Sequence, residues 1–198
     1  MDFIVQEAVK NQQNINYENM VGQANIKVIG VGGGGSNMVS WLYKKGVKGA
    51  EIAACNTDKQ HLDMTNSDRK ILIGKDLTRG LGCGGFPDKG AEAAQESIQE
   101  IKDTVKSTDM AFICAGMGGG TGTGAAPVIA QVVKDSGAIV IGTVTMPFSI
   151  ERARIDKAEF GLQQLRQVSD TVIVIDNNRL VNIAGNLPVQ QAFAVANE

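Results

Sequence analysis

The sequence predicts an α/β fold: a Rossmann-like three-layer domain in which a parallel sheet is flanked by helices on both faces. Apolar, β-branched runs such as residues 26–29 and 171–175 alternate with helix-like segments. Continuous apolar runs are typical of parallel strands buried on both faces, and their alternation with helices is typical of α/β domains. Most of the 24 glycines lie in clusters at residues 30–35, 80–90 and 116–124, which indicates ligand-binding turns.

Each strand prediction rests on a short apolar run bounded by turn residues or by a glycine cluster. In chain order, the predicted strands are residues 26–29, 51–55, 70–73, 110–115, 138–145 and 171–175. Helices are predicted in the segments between them, at residues 37–45, 90–106, 127–135 and 151–167.

The two ends of the chain differ from its middle. Residues 1–24 are polar and rich in Asn and Gln, so we predict an N-terminal arm outside the core. Residues 25–187 form the predicted binding domain. Residues 188–198 begin a further helix, with Pro188 in its first turn. No helix-stop signal precedes Glu198, so we expect that this helix is truncated before a second domain.

Composition excludes several classes of protein. Hydrophobic residues make up 43% of the chain and the net charge is −2, so the sequence indicates a globular protein without the basic field of a nucleic-acid binder. Three separated cysteines and a single histidine argue against a disulfide framework, a zinc site or a His-based catalytic pair. No apolar run has membrane-spanning length and no signal peptide is evident, so we expect a cytoplasmic protein without direct membrane insertion.

The third glycine cluster carries the clearest functional signal. It follows the predicted strand 110–115 and precedes a helix, and two threonines are interleaved with its glycines. Glycine lets a ligand approach the backbone N–H groups, and the following helix N-terminus adds unpaired donors and a positive dipole end. This arrangement predicts a site for a diphosphate or triphosphate.

The first cluster also matches the pattern G-x-G-x-x-G, with Glu51 about where a dinucleotide fold places its ribose-binding acid. An NAD-dependent oxidoreductase domain is therefore an alternative, as is a tight turn without a ligand. No G-x-x-x-x-G-K-[ST] motif occurs. Because the clusters follow the first, third and fourth predicted strands, we expect all three to meet at the carboxyl edge of the sheet.

Residues 118–124, Gly-Gly-Gly-Thr-Gly-Thr-Gly, resemble the signature loop of the tubulin/FtsZ family. Residues 26–37, 55–58, 80–85 and 147–148 follow in the order of that family, and the resemblance extends from about residue 25 to the end. It implies the N-terminal nucleotide-binding domain of an archaeal-type FtsZ. The implied function is that of a cytoskeletal GTPase that polymerises into the cell-division ring at mid-cell.

The resemblance also implies roles for individual residues. The phosphates of GTP or GDP would be held by Gly32, Gly33, Gly34, Asn37, Gly84, Gly85, Gly116, Gly118, Gly119, Gly120, Thr121 and Gly122. The ribose would be bound by Glu151 and Arg154, and the guanine by Asn177, Asn197 and the aromatic Phe193. Asp58 is the candidate ligand of Mg²⁺, directly or through water, and its alternative role is to cap the following turn. Cys83, Gly85 and Phe86 replace residues that are small or carry an amide in bacterial relatives.

The family resemblance further implies that one subunit does not complete its own catalytic site. A loop beyond the central helix of the next subunit would align the attacking water, so no catalytic residue is assigned in this chain, which is expected to bind GTP and hardly hydrolyse it. The implied partners are further subunits in head-to-tail filaments, with division-ring partners or membrane tethers bound through regions outside this chain, and no nucleic acid. A nucleotide-binding regulator that never polymerises is a further alternative.

Overall fold

Six parallel strands form a single sheet in the part of the chain that the computed structural model describes, residue 22 and residues 24–179. The strands are β1 (Ile26–Val31), β2 (Ala50–Asn56), β3 (Arg69–Leu72), β4 (Met110–Gly116), β5 (Ile139–Met146) and β6 (Thr171–Asp176). All six strand predictions are confirmed, with boundaries within two residues.

The sheet has the order β3-β2-β1-β4-β5-β6. Strand β1 therefore pairs with β2 on one side and with β4 on the other, in parallel on both sides. The connections reverse direction between β1 and β4, which makes the carboxyl ends of these two strands the topological switch point, where open α/β sheets bind ligands.

Helices cover the sheet on both faces, as the fold prediction requires. They are α1 (Gly32–Lys45), α2 (Lys59–Met64), α3 (Lys75–Thr78), α4 (Pro87–Glu96), α5 (Ile98–Val105), α6 (Thr121–Asp135) and α7 (Arg152–Val168). One core packs α1 and α2 against the sheet through Val39 and Leu62. The larger core lies on the opposite face and includes Ala93, Ile129 and Leu165 from the helices α4, α6 and α7. None of the described helices is both long and apolar enough to span a bilayer.

For two helices, the predicted first residue lies later in the chain than the first residue observed in the structure. Helix α1 begins at Gly32 and α6 at Thr121, each inside a glycine cluster. Glycine is a poor helix former, which is why the sequence predicted later starts. Packing outweighs this preference: a Cβ at Gly35 would overlap the Cys114 carbonyl oxygen, so only glycine lets α1 lie this close to β4.

The single helix predicted over residues 90–106 is wrong, because Ser97 separates α4 from α5. Ser97 leaves the helical conformation at φ −97° and ψ 18°. Its Oγ accepts a hydrogen bond of 3.0 Å from the backbone N–H of Gly74, the residue that precedes α3. The break therefore ties the α4–α5 region to a short helix that the sequence did not predict.

Candidate functional site

A cleft of about 370 Å³ lies at the carboxyl edge of the sheet, beside the switch point between β1 and β4. This volume is within the range of roughly 300–1,000 Å³ that is usual for small-molecule sites. Most of the residues predicted from the sequence line it: Gly33, Gly34, Gly116, Gly119, Gly120, Thr121, Gly122, Glu151, Arg154 and Asn177. Met117, Thr145, Pro147 and Phe148 complete the lining, and Thr145 was not predicted.

The turns after β1 and β4 touch each other through their backbones. Gly32 has φ +69°, and a Cβ there would lie 2.6 Å from the backbone nitrogen of Gly122. A Cβ at Gly34 would lie 2.9 Å from the Cα of Gly116. Because no side chains intervene, the first turns of α1 and α6 face the same space. Two helix N-termini at one cleft provide a strong site for an anion.

Gly118 supports the cleft from behind and does not line it. Its backbone has φ +94°, and its N–H donates a hydrogen bond of 2.9 Å to Thr123 Oγ1. A Cβ at this position would come within 2.9 Å of the Cβ of Arg154. Gly118 thus lets the glycine loop pack directly against the start of α7.

Glu151 and Arg154 form an exposed ion pair at the rim of the cleft, with 2.9 Å between Arg154 Nη1 and Glu151 Oε2. The second carboxylate oxygen of Glu151 accepts a hydrogen bond of 3.1 Å from the backbone N–H of Phe148. Exposed ion pairs contribute little to stability. This pair can therefore exchange partners when a ligand with hydroxyl groups arrives, at little cost to the fold.

Asp58 caps helix α2, which is the alternative role considered for it. Its Oδ1 accepts a hydrogen bond of 3.0 Å from the backbone N–H of His61. In the described part of the chain, no three His, Cys, Asp or Glu side chains come together to hold a metal ion by themselves. The carboxylate oxygens of Asp58 nevertheless suit Mg²⁺, which keeps several waters and relies on substrate phosphates.

The middle glycine cluster approaches the cleft from the side and does not line it. An isolated bridge between Asp58 and Leu81 brings the loop beside the end of β2. The carbonyl oxygen of Gly85 accepts a hydrogen bond of 2.8 Å from Lys157 Nζ on α7, and Gly84 precedes it in the same turn. All three clusters thus meet at the carboxyl edge, as expected, but only the first and third line the cleft.

A buried polar network that sequence reasoning missed links this loop to the cleft. Thr57 Oγ1 lies 2.7 Å from Thr121 Oγ1, and Cys83 Sγ lies 3.4 Å from Thr57 Oγ1 and 3.6 Å from Thr121 Oγ1. The network joins the end of β2, the middle loop and the first turn of α6. Thr57 and Thr121 each stand in a recognised motif, but nothing in their spacing indicates that they pair.

The position predicted for Glu51 was wrong. Glu51 lies near the start of β2, where it pairs with Lys27 of β1. This is the amino edge of the sheet, whereas a ribose-binding acid of a dinucleotide fold lies at the carboxyl edge. Glu51 is therefore distant from the glycine turns, and this removes the main support for the NAD alternative.

A family model described as "Tubulin/FtsZ family, GTPase domain" matches residues 25–185. The chain belongs to the tubulin/FtsZ family. The match includes both glycine turns of the cleft, together with Glu151, Arg154 and Asn177. Phe193 and Asn197, for which the sequence also predicted contacts with the base, lie outside the described residues.

Archaeal members of the FtsZ branch are similar over most of the chain. "Cell division protein FtsZ 2" of Methanocaldococcus jannaschii is 50% identical over 98% of this chain and 52% of its own length. "Cell division protein FtsZ 1" of Archaeoglobus fulgidus is 56% identical over 87% of this chain and 47% of its own length. The chain thus spans about half the length of the curated relatives it matches.

Solved structures of the family share the fold. The structure titled "FtsZ dimer, empty (M. jannaschii)" superimposes with a TM-score of 0.87 at 46% identity, over 95% of this chain and 55% of that one. "CetZ2 from Haloferax volcanii - GTPgS bound protofilament" gives a TM-score of 0.79 at 26% identity, over 88% of this chain and 55% of that one. The α/β sheet predicted from the sequence is thus the fold of FtsZ-type proteins.

Proposed function

We propose that this chain is the guanine-nucleotide-binding domain of an FtsZ-type GTPase that polymerises in cell division. The observation that carries the proposal is the contact between the turns after β1 and β4, which aims two helix N-termini into one cleft. Family membership and similarity to archaeal FtsZ proteins support the same function. We propose residues 25–187 as the bounds of the domain; the N-terminal arm predicted at 1–24, apart from residues 22 and 24, and the helix predicted to begin at 188–198 lie outside the described residues.

We propose that different residues bind each part of the nucleotide. Backbone N–H groups of the glycine turns bind the phosphates, because amides at two helix N-termini stabilise negative charge. The Glu151 carboxylate accepts hydrogen bonds from the ribose hydroxyls while Arg154 holds it in place. Asn177 follows β6 and reads the guanine edge, with Phe193 and Asn197 contributing from the segment beyond. Gly84 and Gly85 approach the terminal phosphate when it is present.

We propose Asp58 as the residue that holds Mg²⁺; it follows Thr57, whose hydroxyl contacts Thr121 in the cleft lining. The Asp58 carboxylate would hold the ion directly or through water, and the ion would supply positive charge near the phosphates. The residues of this chain hold and orient the nucleotide. The water that attacks the phosphate is positioned by a loop of the next subunit in a filament. In the cell, the full protein works in the cytoplasm at the mid-cell division site, and other regions bind division partners or membrane tethers.

Calorimetry with purified chain tests the binding function. We expect measurable heat from GDP and from GTP and none from NAD⁺, because Glu51 lies at the wrong edge of the sheet for a dinucleotide ribose. Binding of NAD⁺ in preference to GDP would revive the oxidoreductase alternative. Absence of heat from both guanine nucleotides would overturn the proposal.

Hydrolysis measurements test the requirement for a second subunit. We expect turnover of GTP by the chain alone to be at least about a hundredfold below that of a full-length FtsZ, because groups supplied in trans contribute roughly 10³–10⁵ in other nucleotide hydrolases. Titrating in a full-length FtsZ whose own nucleotide site is inactivated should restore turnover at the site of this chain. Fast hydrolysis by the chain alone would contradict the trans mechanism and leave nucleotide binding intact. A full-length parent that binds GTP without sedimenting as filaments would favour a regulator.

A further inference from the structure

A line of side-chain hydrogen bonds runs from the end of β2 to helix α1, and its geometry fixes the direction of every bond. Asn56 is buried, and its Oδ1 accepts a hydrogen bond of 3.2 Å from the backbone N–H of Asp58. The other end of the same amide is therefore Nδ2, which lies 3.1 Å from His61 Nδ1. An amide nitrogen can only donate. His61 Nδ1 must accept this bond and so carries no proton.

The state of the second ring nitrogen follows. An imidazole whose Nδ1 accepts carries its proton on Nε2. His61 Nε2 lies 3.1 Å from Asn37 Oδ1, so it donates to that oxygen. With Oδ1 of Asn37 engaged, the remaining polar group of this side chain is Nδ2, a pure donor. The buried Asn56 thus dictates, through the ring, which end of the Asn37 amide is left for other partners.

The ring is held firmly, and it lies beside the phosphate turn. The His61 backbone N–H is bonded to the Asp58 side chain, which anchors the ring at the start of α2. A Cβ placed at Gly33 would lie 3.6 Å from His61 Cε1, which is ordinary contact distance. Gly33 lines the cleft, and Asn37 lies one helical turn later on the same face of α1.

We propose that His61 is a positioning residue that holds the Asn37 amide with its Nδ2 hydrogens available to a phosphate oxygen of the bound nucleotide. Phosphate oxygens only accept hydrogen bonds. If the Asn37 amide were flipped, its carbonyl oxygen would face the negatively charged phosphate and be repelled by it. His61 is not among the residues that line the cleft, and it would act through Asn37. This inference deepens the proposed function and rests on it.

The proton position can be measured without any nucleotide. We expect ¹⁵N NMR of the imidazole at about pH 8, where histidine is ordinarily neutral, to show a protonated Nε2 and an unprotonated Nδ1. The Asn56→Ala variant removes the donor to Nδ1 and should give a mixture of tautomers. A wild-type ring protonated on Nδ1 would overturn the inference about His61. It would not bear on whether the domain binds nucleotide.

GDP affinity then tests the positioning role. We expect His61→Ala to weaken GDP binding about tenfold, because a bond to a charged phosphate is lost or misdirected. His61→Gln should bind within about threefold of wild type, since its amide nitrogen can donate to Asn37 in place of Nε2. In the Asn37→Ala background, His61→Ala should have no further effect, because coupled residues are not additive. Thermal unfolding of each variant identifies any loss that comes from misfolding.

The outcomes separate the inference from the function on which it rests. Failure of wild-type protein to bind GDP overturns the proposed function. Normal GDP binding by folded His61→Ala, or additive losses in the double variant, overturns the role of His61 and leaves the proposed function standing. Loss in His61→Ala with rescue in His61→Gln and non-additivity with Asn37→Ala supports it.

Discussion

Gly124→Ala should prevent stable folding, whereas Gly119→Ala, five residues earlier in the same glycine cluster, should fold normally and bind nucleotide more weakly. A Cβ at Gly124 would overlap the carbonyl oxygen of Pro87 and lie 2.7 Å from its carbonyl carbon and 2.8 Å from the nitrogen of Ala91. All three atoms belong to the backbone of α4 and cannot swing aside. The cost should therefore exceed the ~1–3 kcal/mol that is usual for overpacking.

The effect is large because α4 and α6 cross with their backbones in contact. Gly90 makes the reciprocal approach, since a Cβ there would lie 3.1 Å from the carbonyl carbon of Gly120. These two glycines belong to the clusters interpreted as phosphate turns, but their role is to let two helices pack closely. Losing that crossing would also move the first turn of α6, which lines the cleft.

Gly119 is the matched control, because a Cβ there meets no atom within 4 Å and the residue lines the cleft. Its variant should keep the wild-type unfolding midpoint in urea. The added methyl group should keep the phosphate from one backbone N–H. The affinity for GDP should then fall by roughly 10- to 100-fold, because one hydrogen bond to a charged group is lost. Equal stability of the two variants would contradict the assignment of packing to Gly124. Unchanged GDP binding by Gly119→Ala would place the phosphates elsewhere.

The sequence was sufficient to predict the strands and the position of the cleft. Buried parallel strands leave a continuous β-branched pattern, and glycine turns after β1 and β4 identify the carboxyl edge. The starts of α1 and α6 could not be predicted, because packing outweighs glycine's intrinsic preference, as the contact of Gly35 with the backbone of β4 shows. The two roles of glycine within one cluster become visible only in the folded domain. Gly124 is needed because α4 packs against it, whereas Gly119 lines the cleft.

The polar networks could not be predicted because they join residues that are distant in sequence. Asn37 and His61 are 24 positions apart, and Thr57 and Thr121 are 64 apart. No periodicity or motif encodes such pairs, and the single histidine argued only against a zinc site and a His-based catalytic pair. The fold places His61 beside Gly33, and this placement is the basis of the positioning role that we propose for it.

The second large effect is expected at alkaline pH, where two buried cysteines should make the domain progressively less stable. Burial raises the pKa of Cys55 from 9.0 to about 12, with the nearby charge of Glu100 adding to the shift. Burial alone raises the pKa of Cys114 from 9.0 to about 12. Both thiols are therefore neutral in the folded protein over a range in which they ionise in the unfolded chain.

The sign of the effect follows from proton binding. Between pH 9 and pH 12 the folded state keeps protons that the unfolded state releases, so the free energy of unfolding falls as pH rises. Below pH 9 the contribution is fully present. Each thiol should lower the stability by about 1.4 kcal/mol per pH unit within that window, so the pair should lower it by roughly twice as much.

Urea unfolding between about pH 9 and about pH 11 measures this dependence. The Cys55→Ala/Cys114→Ala double variant should lose most of the slope of stability against pH, whatever its stability at neutral pH. Other groups titrate in the same range, so the comparison is between the slopes of wild type and variant. If the double variant instead keeps that slope, the two thiols ionise as readily in the folded protein as in the unfolded chain. Their burial in the sheet would then not exclude water as the structure requires.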